Sequence, residues 1–277
     1  MKFNKLLILG FLLIALVALP VSFAADISVT DLNPNDVGGT DLSLKEVNQS
    51  ISSTSLEEEI YTFDTSSLLD NETIYLNGSY TGSDEKGTLE NPYNNIHTAT
   101  NALLNSNKTN LFIANGNYKI NNHFDVDSKN INIIGESASG VTINCNNTTY
   151  IQFINSNSNM YDLTIYNSYS TDEDAVIWTE LSNITMCNVV FTNNLANSPG
   201  GIILTRGGTF KLINCSIKNN LIDYGNGGIS GGIIYSDNNL IIINSYFENN
   251  TIKSSTYSGG AIFAKGNLEF IYPSKYY

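Results

Sequence analysis

From about residue 73, apolar residues come in short runs separated by turns of Asn, Gly and Ser. Thr73 to Leu76, Leu111 to Ala114, Tyr118 to Ile120, Ile131 to Ile134 and Val141 to Asn144 each read as a short strand. β-Rich runs of this length, bounded by turn residues, suit a pleated and half-buried surface. One stretch departs from this rhythm. After Pro92-Tyr93, the residues Ile96, Ala99, Thr100, Leu103 and Leu104 recur at helical spacing and predict one short amphipathic helix. Asn77 to Asp84 is a turn-rich loop. Residues 25–71 are polar, include the like-charged run Glu57-Glu58-Glu59 and hold no period, which predicts a flexible leader.

The second half repeats itself. An apolar residue recurs at Ile165, Phe191, Ile217 and Phe247, spaced by 26, 26 and 30. Three residues before each stands Asp162, Asn188, Asn214 or Asn244. Two residues after each stands Asn167, Asn193, Asn219 or Asn249. A turn of variable length follows, with Gly200-Gly201, Gly231-Gly232 and Gly259-Gly260. Then comes a strand: Val176 to Thr179, Ile202 to Thr205, Ile233 to Ser236, Ala261 to Ala264. A winding this short cannot bury its own apolar side. Stacked about 4.8 Å below the next winding, each strand pairs in parallel with its own copy. Apolar residues then form inner columns, and Asn188, Asn214 and Asn244 form a ladder of amide hydrogen bonds. Paired glycines supply tight or positive-φ backbone where a turn enters a strand.

The two-residue period of a strand orients the columns. Ile177, Ile203, Ile234 and Ile262 are all isoleucine, and the residues two further on are small, so this face is assigned inward. Trp178, Leu204, Tyr235 and Phe263 then point outward as an exposed apolar and aromatic stripe, a candidate ligand contact. The opposite assignment would make the same stripe core. On the other strand Ile165, Phe191, Ile217 and Phe247 point in, and Tyr166, Thr192, Lys218 and Glu248 point out.

The N-terminus changes the compartment. Lys2 and Lys5 precede an apolar run from Leu6 to Leu19, and Ser22 and Ala24 are small, as at a signal-peptide cleavage site. Residues 1–24 are read as a cleaved export signal, shorter in its apolar run than the roughly 20 residues that a retained span needs. No second span follows, so no stable membrane span is expected after cleavage. Removing Lys2 and Lys5 leaves 11 basic against 26 acidic residues, with Arg206 the sole arginine. Nucleic acid needs clustered positive charge, so it is excluded as a partner. Cys145, Cys187 and Cys215 match no zinc spacing and read as small buried residues, and the 28-residue gap between the last two allows stacking on adjacent windings. About forty asparagines create several Asn-x-Ser/Thr sites, of which Asn48 and Asn71 are the expected glycan acceptors.

Several of these residues carry resemblances. Phe191-Thr-Asn-Asn194 and Phe247-Glu-Asn-Asn250 resemble the F-x-x-N element of chlamydial polymorphic outer-membrane proteins. Gly259-Gly-Ala-Ile262, with Gly200-Gly-Ile-Ile203 and Gly231-Gly-Ile-Ile234, resembles their G-G-A-I element. Ile217 replaces the Phe in the middle copy. Gly82-Ser-Asp84, Gly87 to Tyr93, Asn115-Gly-Asn-Tyr118 and Ile131 to Ser137 resemble the N-terminal cap and first coils of pectate-lyase-like proteins. Over residues 73–271 the chain is similar to the adhesin-like surface proteins of methanogenic archaea. The resemblance implies an all-β, right-handed parallel β-helix over 72–277, with a cap over about 72–120, coils over about 120–271 and a shortened C-terminus. It also implies a secreted or cell-surface adhesin that meets glycans or proteins of other cells.

Catalysis is the rival reading, because this fold also carries polysaccharide lyases and hydrolases. Hydrolases need two carboxylates about 5–9.5 Å apart. The best acidic group is Asp172-Glu173-Asp174, consecutive in a turn and better read as a solvated charge run. Arg206 and Lys211 stand in no lyase motif, His97 is placed on the surface of the predicted helix, and His123 precedes the repeats. No cofactor is implied, and no motif indicates structural calcium. A passive spacer is the third reading.

Overall fold

The computed structural model describes residues 64–147, 151–171, 175–197, 200–223, 232–253, 260–271 and 275–276. All lie in one compact unit spanning Glu58–Tyr277. The predicted export signal, most of the leader including Asn48, the Asp172-Glu173-Asp174 run, Gly231 and Gly259 fall outside the described residues.

The unit is a parallel β-helix. Every pairing between its strands is parallel. One inner column runs its full length: Ile74, Leu111, Ile133, Met160, Met186, Leu212, Ile242 and Phe270 each pair in register with the next. The first seven are at most 6% exposed and the last is 40% exposed. The predicted repeat is borne out, since Ile165, Phe191, Ile217 and Phe247 are mutual partners. So are Ile177, Ile203, Ile234 and Ile262. A separate small sheet stacks Tyr169–Thr171, Leu195–Asn197, Leu221–Asp223 and Thr251–Lys253. Helix α1 (Ile96–Leu104) packs on the strands Thr73–Leu76 and Asn110–Ile113 through Ile96, Ala99 and Leu103. Asn95 caps it, accepting from the backbone N–H groups of His97 at 2.9 Å and Thr98 at 3.2 Å.

The corners explain the asparagines. Turning sharply between strands requires left-handed backbone, which Asn and Asp tolerate better than other side chains. Among the described residues, thirteen non-glycine positions have positive φ, and eleven of them are Asn or Asp. They include both predicted sets: Asp162, Asn188, Asn214 and Asn244, and Asn167, Asn193, Asn219 and Asn249. Two amide rungs join members of the first set, one of them within the predicted Asn188, Asn214 and Asn244 ladder. Asn188 Nδ2 donates to Asp162 Oδ1 at 2.5 Å, and Asn244 Nδ2 donates to Asn214 Oδ1 at 2.7 Å. At the strand entry Gly201 has φ +70°, and a Cβ there would lie 2.2 Å from the carbonyl oxygen of Gly232. The windings approach too closely at this point for any side chain.

Candidate binding surface

The inward assignment of the isoleucine column holds: Ile177, Ile203 and Ile234 are fully buried and belong to the core, with Ile262 packed against it. Thr179, Thr205 and Ser236 share that face. Thr205 Oγ1 donates to Ser236 Oγ at 3.0 Å and also bonds Asn238 Oδ1. Trp178, Leu204, Tyr235 and Phe263 are in register on the opposite, outer face, outside the inner core cluster. The outward direction holds, but the predicted exposure does not, since none of the four is exposed. Leu204 is 2% exposed, and Trp178, Tyr235 and Phe263 are half-buried. Stacking explains part of this, because the short Leu204 lies one strand spacing from a larger ring on each side.

The stripe's chemistry is mixed. The rings of Tyr235 and Phe263 stack with centroids 5.4 Å apart and planes at 22°. Lys265 Nζ lies 5.1 Å from the Tyr235 centroid and 6.0 Å from that of Phe263. The indole Nε1 of Trp178 is buried and has no hydrogen-bond partner among the described residues. Two positions beyond each stripe residue stand Glu180, Arg206, Asp237 and Lys265, so the neighbouring outer column alternates in charge. Three of the four are exposed and Glu180 is half-buried. The surface thus offers half-buried aromatic rings beside charged groups of both signs.

A second outer column has no counterpart in the sequence reading. Tyr75, Phe112, Ile134, Tyr161, Cys187, Ile213, Ile243 and Ile271 pair in register on the outside of the long sheet. Ile134, Tyr161 and Cys187 form a buried cluster with Leu68, Leu69, Phe112 and Ile213 packed around it. Burial pushes the Tyr161 phenol up to about 12 and the Cys187 thiol up to about 11. Cys187 and Cys215 do not stack. Cys187 pairs with Ile213 because the local period is 26, and Cys215 falls on the inner face. All three cysteines are buried, and Cys215 is pushed up to about 12 by burial.

The F-x-x-N element has a clear structural role. Phe191 and Phe247 are core residues. Asn194, Asn220 and Asn250 form an interior ladder in which the Nδ2 groups of Asn194 and Asn220 each reach two acceptors and that of Asn250 reaches the Ile217 carbonyl. Asn194 donates to Asn220 Oδ1 at 3.1 Å and to the Ile165 carbonyl at 3.1 Å. Asn220 donates to Asn250 Oδ1 at 3.0 Å and to the Phe191 carbonyl at 3.1 Å. Asn194 and Asn220 are 1% exposed. The only trace of this ladder in the sequence is the doublet Asn193-Asn194, repeated at Asn219-Asn220 and Asn249-Asn250.

The histidines differ from expectation. His97 is half-buried, and its Nε2 accepts from the backbone N–H of Asn121 at 3.3 Å. His123 follows two residues after Asn121, so the two histidines face one region. Arg206 is exposed and in register with Glu180, and Lys211 is exposed on a different strand segment. Among the described residues no group of three or more His, Cys, Asp or Glu could hold a metal ion. Nor is any described helix long and apolar enough to cross a membrane. The chain matches no family model, no curated protein and no solved structure.

Proposed function

We propose that this chain is an exported cell-surface β-helix protein that displays a glycan-binding face, serving adhesion rather than catalysis. The observation that carries the reading is the outer stripe with its charged neighbour. A sugar ring has an apolar C–H face that packs on aromatic rings, and its hydroxyls need donors and acceptors at the edge. Tyr235 and Phe263 supply the first, and Arg206, Asp237 and Lys265 supply the second. The predicted export signal and the acidic composition suit a soluble protein outside a cell.

A glycan and whole-cell binding array on residues 25–277 tests this. Saturable binding is expected, with Tyr235→Ala weakening it at least tenfold while the unfolding midpoint stays near wild type. Binding that survives Tyr235→Ala unchanged would falsify the placement on this face. Unsaturated or reducing ends released from cell-wall polysaccharide would replace the adhesin with a lyase or hydrolase. No saturable ligand at all would leave a passive spacer.

A further inference from the structure

A cavity of about 170 Å³ opens between α1 and the windings that follow it, away from the outer stripe. Its floor is apolar. Leu111, Ile133, Ile143, Ile151 and Met160 line it, face inward and are at most 4% exposed. Its rim is polar and partly open to solvent, with His97 and Thr100 from α1 facing Asn122, His123 and Asp125. The protein has two histidines, and both stand on this rim. The hydrogen bond that His97 Nε2 accepts from Asn121 places the neutral ring's proton on Nδ1, so this histidine offers a donor.

Protein interiors are close-packed, and a void of this size is uncommon among inward side chains. An apolar cavity of about 150 Å³ stays dry and takes up a benzene-sized solute. Here such a floor is joined to a rim of hydrogen-bonding groups. No lysine or arginine lines the cavity, so a carboxylate entering it would lose its water with no cation to pair with. Phe124 and Met160 add a ring and a thioether, both of which make favourable contacts with an aromatic guest.

We propose that this cavity is a binding site for a small, uncharged, one-ring aromatic molecule with a hydroxyl or ring N–H group. The ring occupies the floor, and the polar group meets the histidine and asparagine rim. Long acyl chains exceed the volume, and carboxylates find no cation there. The site is independent of the outer stripe, so either can fail without the other.

Methyl-labelled methionine reports on it directly. Met160 lines the cavity, and Met186, its in-register neighbour one winding on, does not. Titrating the mature chain with phenol is expected to shift the Met160 methyl resonance saturably and leave Met186 in place. Benzoate should bind at least tenfold more weakly than phenol. His97→Ala should weaken phenol at least threefold while changing benzene less than twofold. Thr100→Trp, on the half-exposed side of α1, should block the mouth and abolish the Met160 response. The wild-type titration decides the matter even if Thr100→Trp fails to fold. No saturable Met160 shift at millimolar phenol, or benzoate binding as tightly as phenol, overturns the proposal.

Discussion

The two ends of one inner column meet different surroundings. At the first end, Ile74 is 6% exposed, and α1 packs over this region through Ile96, Ala99 and Leu103. At the other end, Phe270 and its neighbour Leu268 are each 40% exposed, although their in-register partners Ile242 and Leu240 are fully buried. The sequence pattern at the two ends is similar. What differs is whether something stacks on top. In a solenoid each winding contacts only its neighbours, so burial belongs to the interface between windings rather than to the strand. Among the described residues, the apolar side chains of the last long strand are accordingly less covered than those of the first.

Alkali should give the largest effect, acting mainly on the middle windings, with burial also raising the Tyr118 phenol near the first end. Tyr161, Cys187 and Cys215 have their pKa values raised by burial, to about 12, 11 and 12. A group raised on folding stabilises below its unfolded value and loses that contribution as pH climbs to the folded one. Stability should thus fall steeply from about pH 9 towards pH 11 in urea titrations, and less so in Cys187→Ala/Cys215→Ala relative to its own pH 8 value. A flat profile over that range would contradict the burial argument.

Cap and tail are next. Leu103→Ala removes a fully buried α1 side chain and should cost about 3 kcal/mol in chemical denaturation. Phe270→Ala, on the open end, should cost under about 1 kcal/mol. Equal losses would mean that the two ends are equivalently packed. Between them in size lies Asn220→Ala in the interior ladder. It strands the buried amides on either side and should cost about 2 kcal/mol. The smallest effect is a gain. Leu181 holds φ +49° and is 65% exposed, so Leu181→Asn should stabilise by up to about 1 kcal/mol, read as a raised unfolding midpoint.

The winding register was legible because one residue type recurs wherever the backbone must turn left-handed. Asn188, Asn214 and Asn244 mark the same corner in three windings, and counting between them fixes every strand. Face assignment was legible from the isoleucines of a single strand. Exposure was not. Leu204 lies on the outside and is nonetheless buried, because neighbouring windings decide what water reaches. Cys187 and Cys215 stand 28 residues apart, close to one repeat, but the winding between them is 26 residues long and pairs Cys187 with Ile213 instead. The cavity left no periodic trace. Its rim joins His97 on a helix to His123 near a strand, and only closure of the first windings brings them together.

The corner asparagines also set how this architecture can change size. Each winding brings its own bends and hands its amides to an equivalent set, so inserting or deleting one whole winding leaves all other partners matched. Growth by such units would move the far tip in steps of about 4.8 Å. Reach beyond a surface becomes a matter of counting turns, adjustable without redesigning any contact.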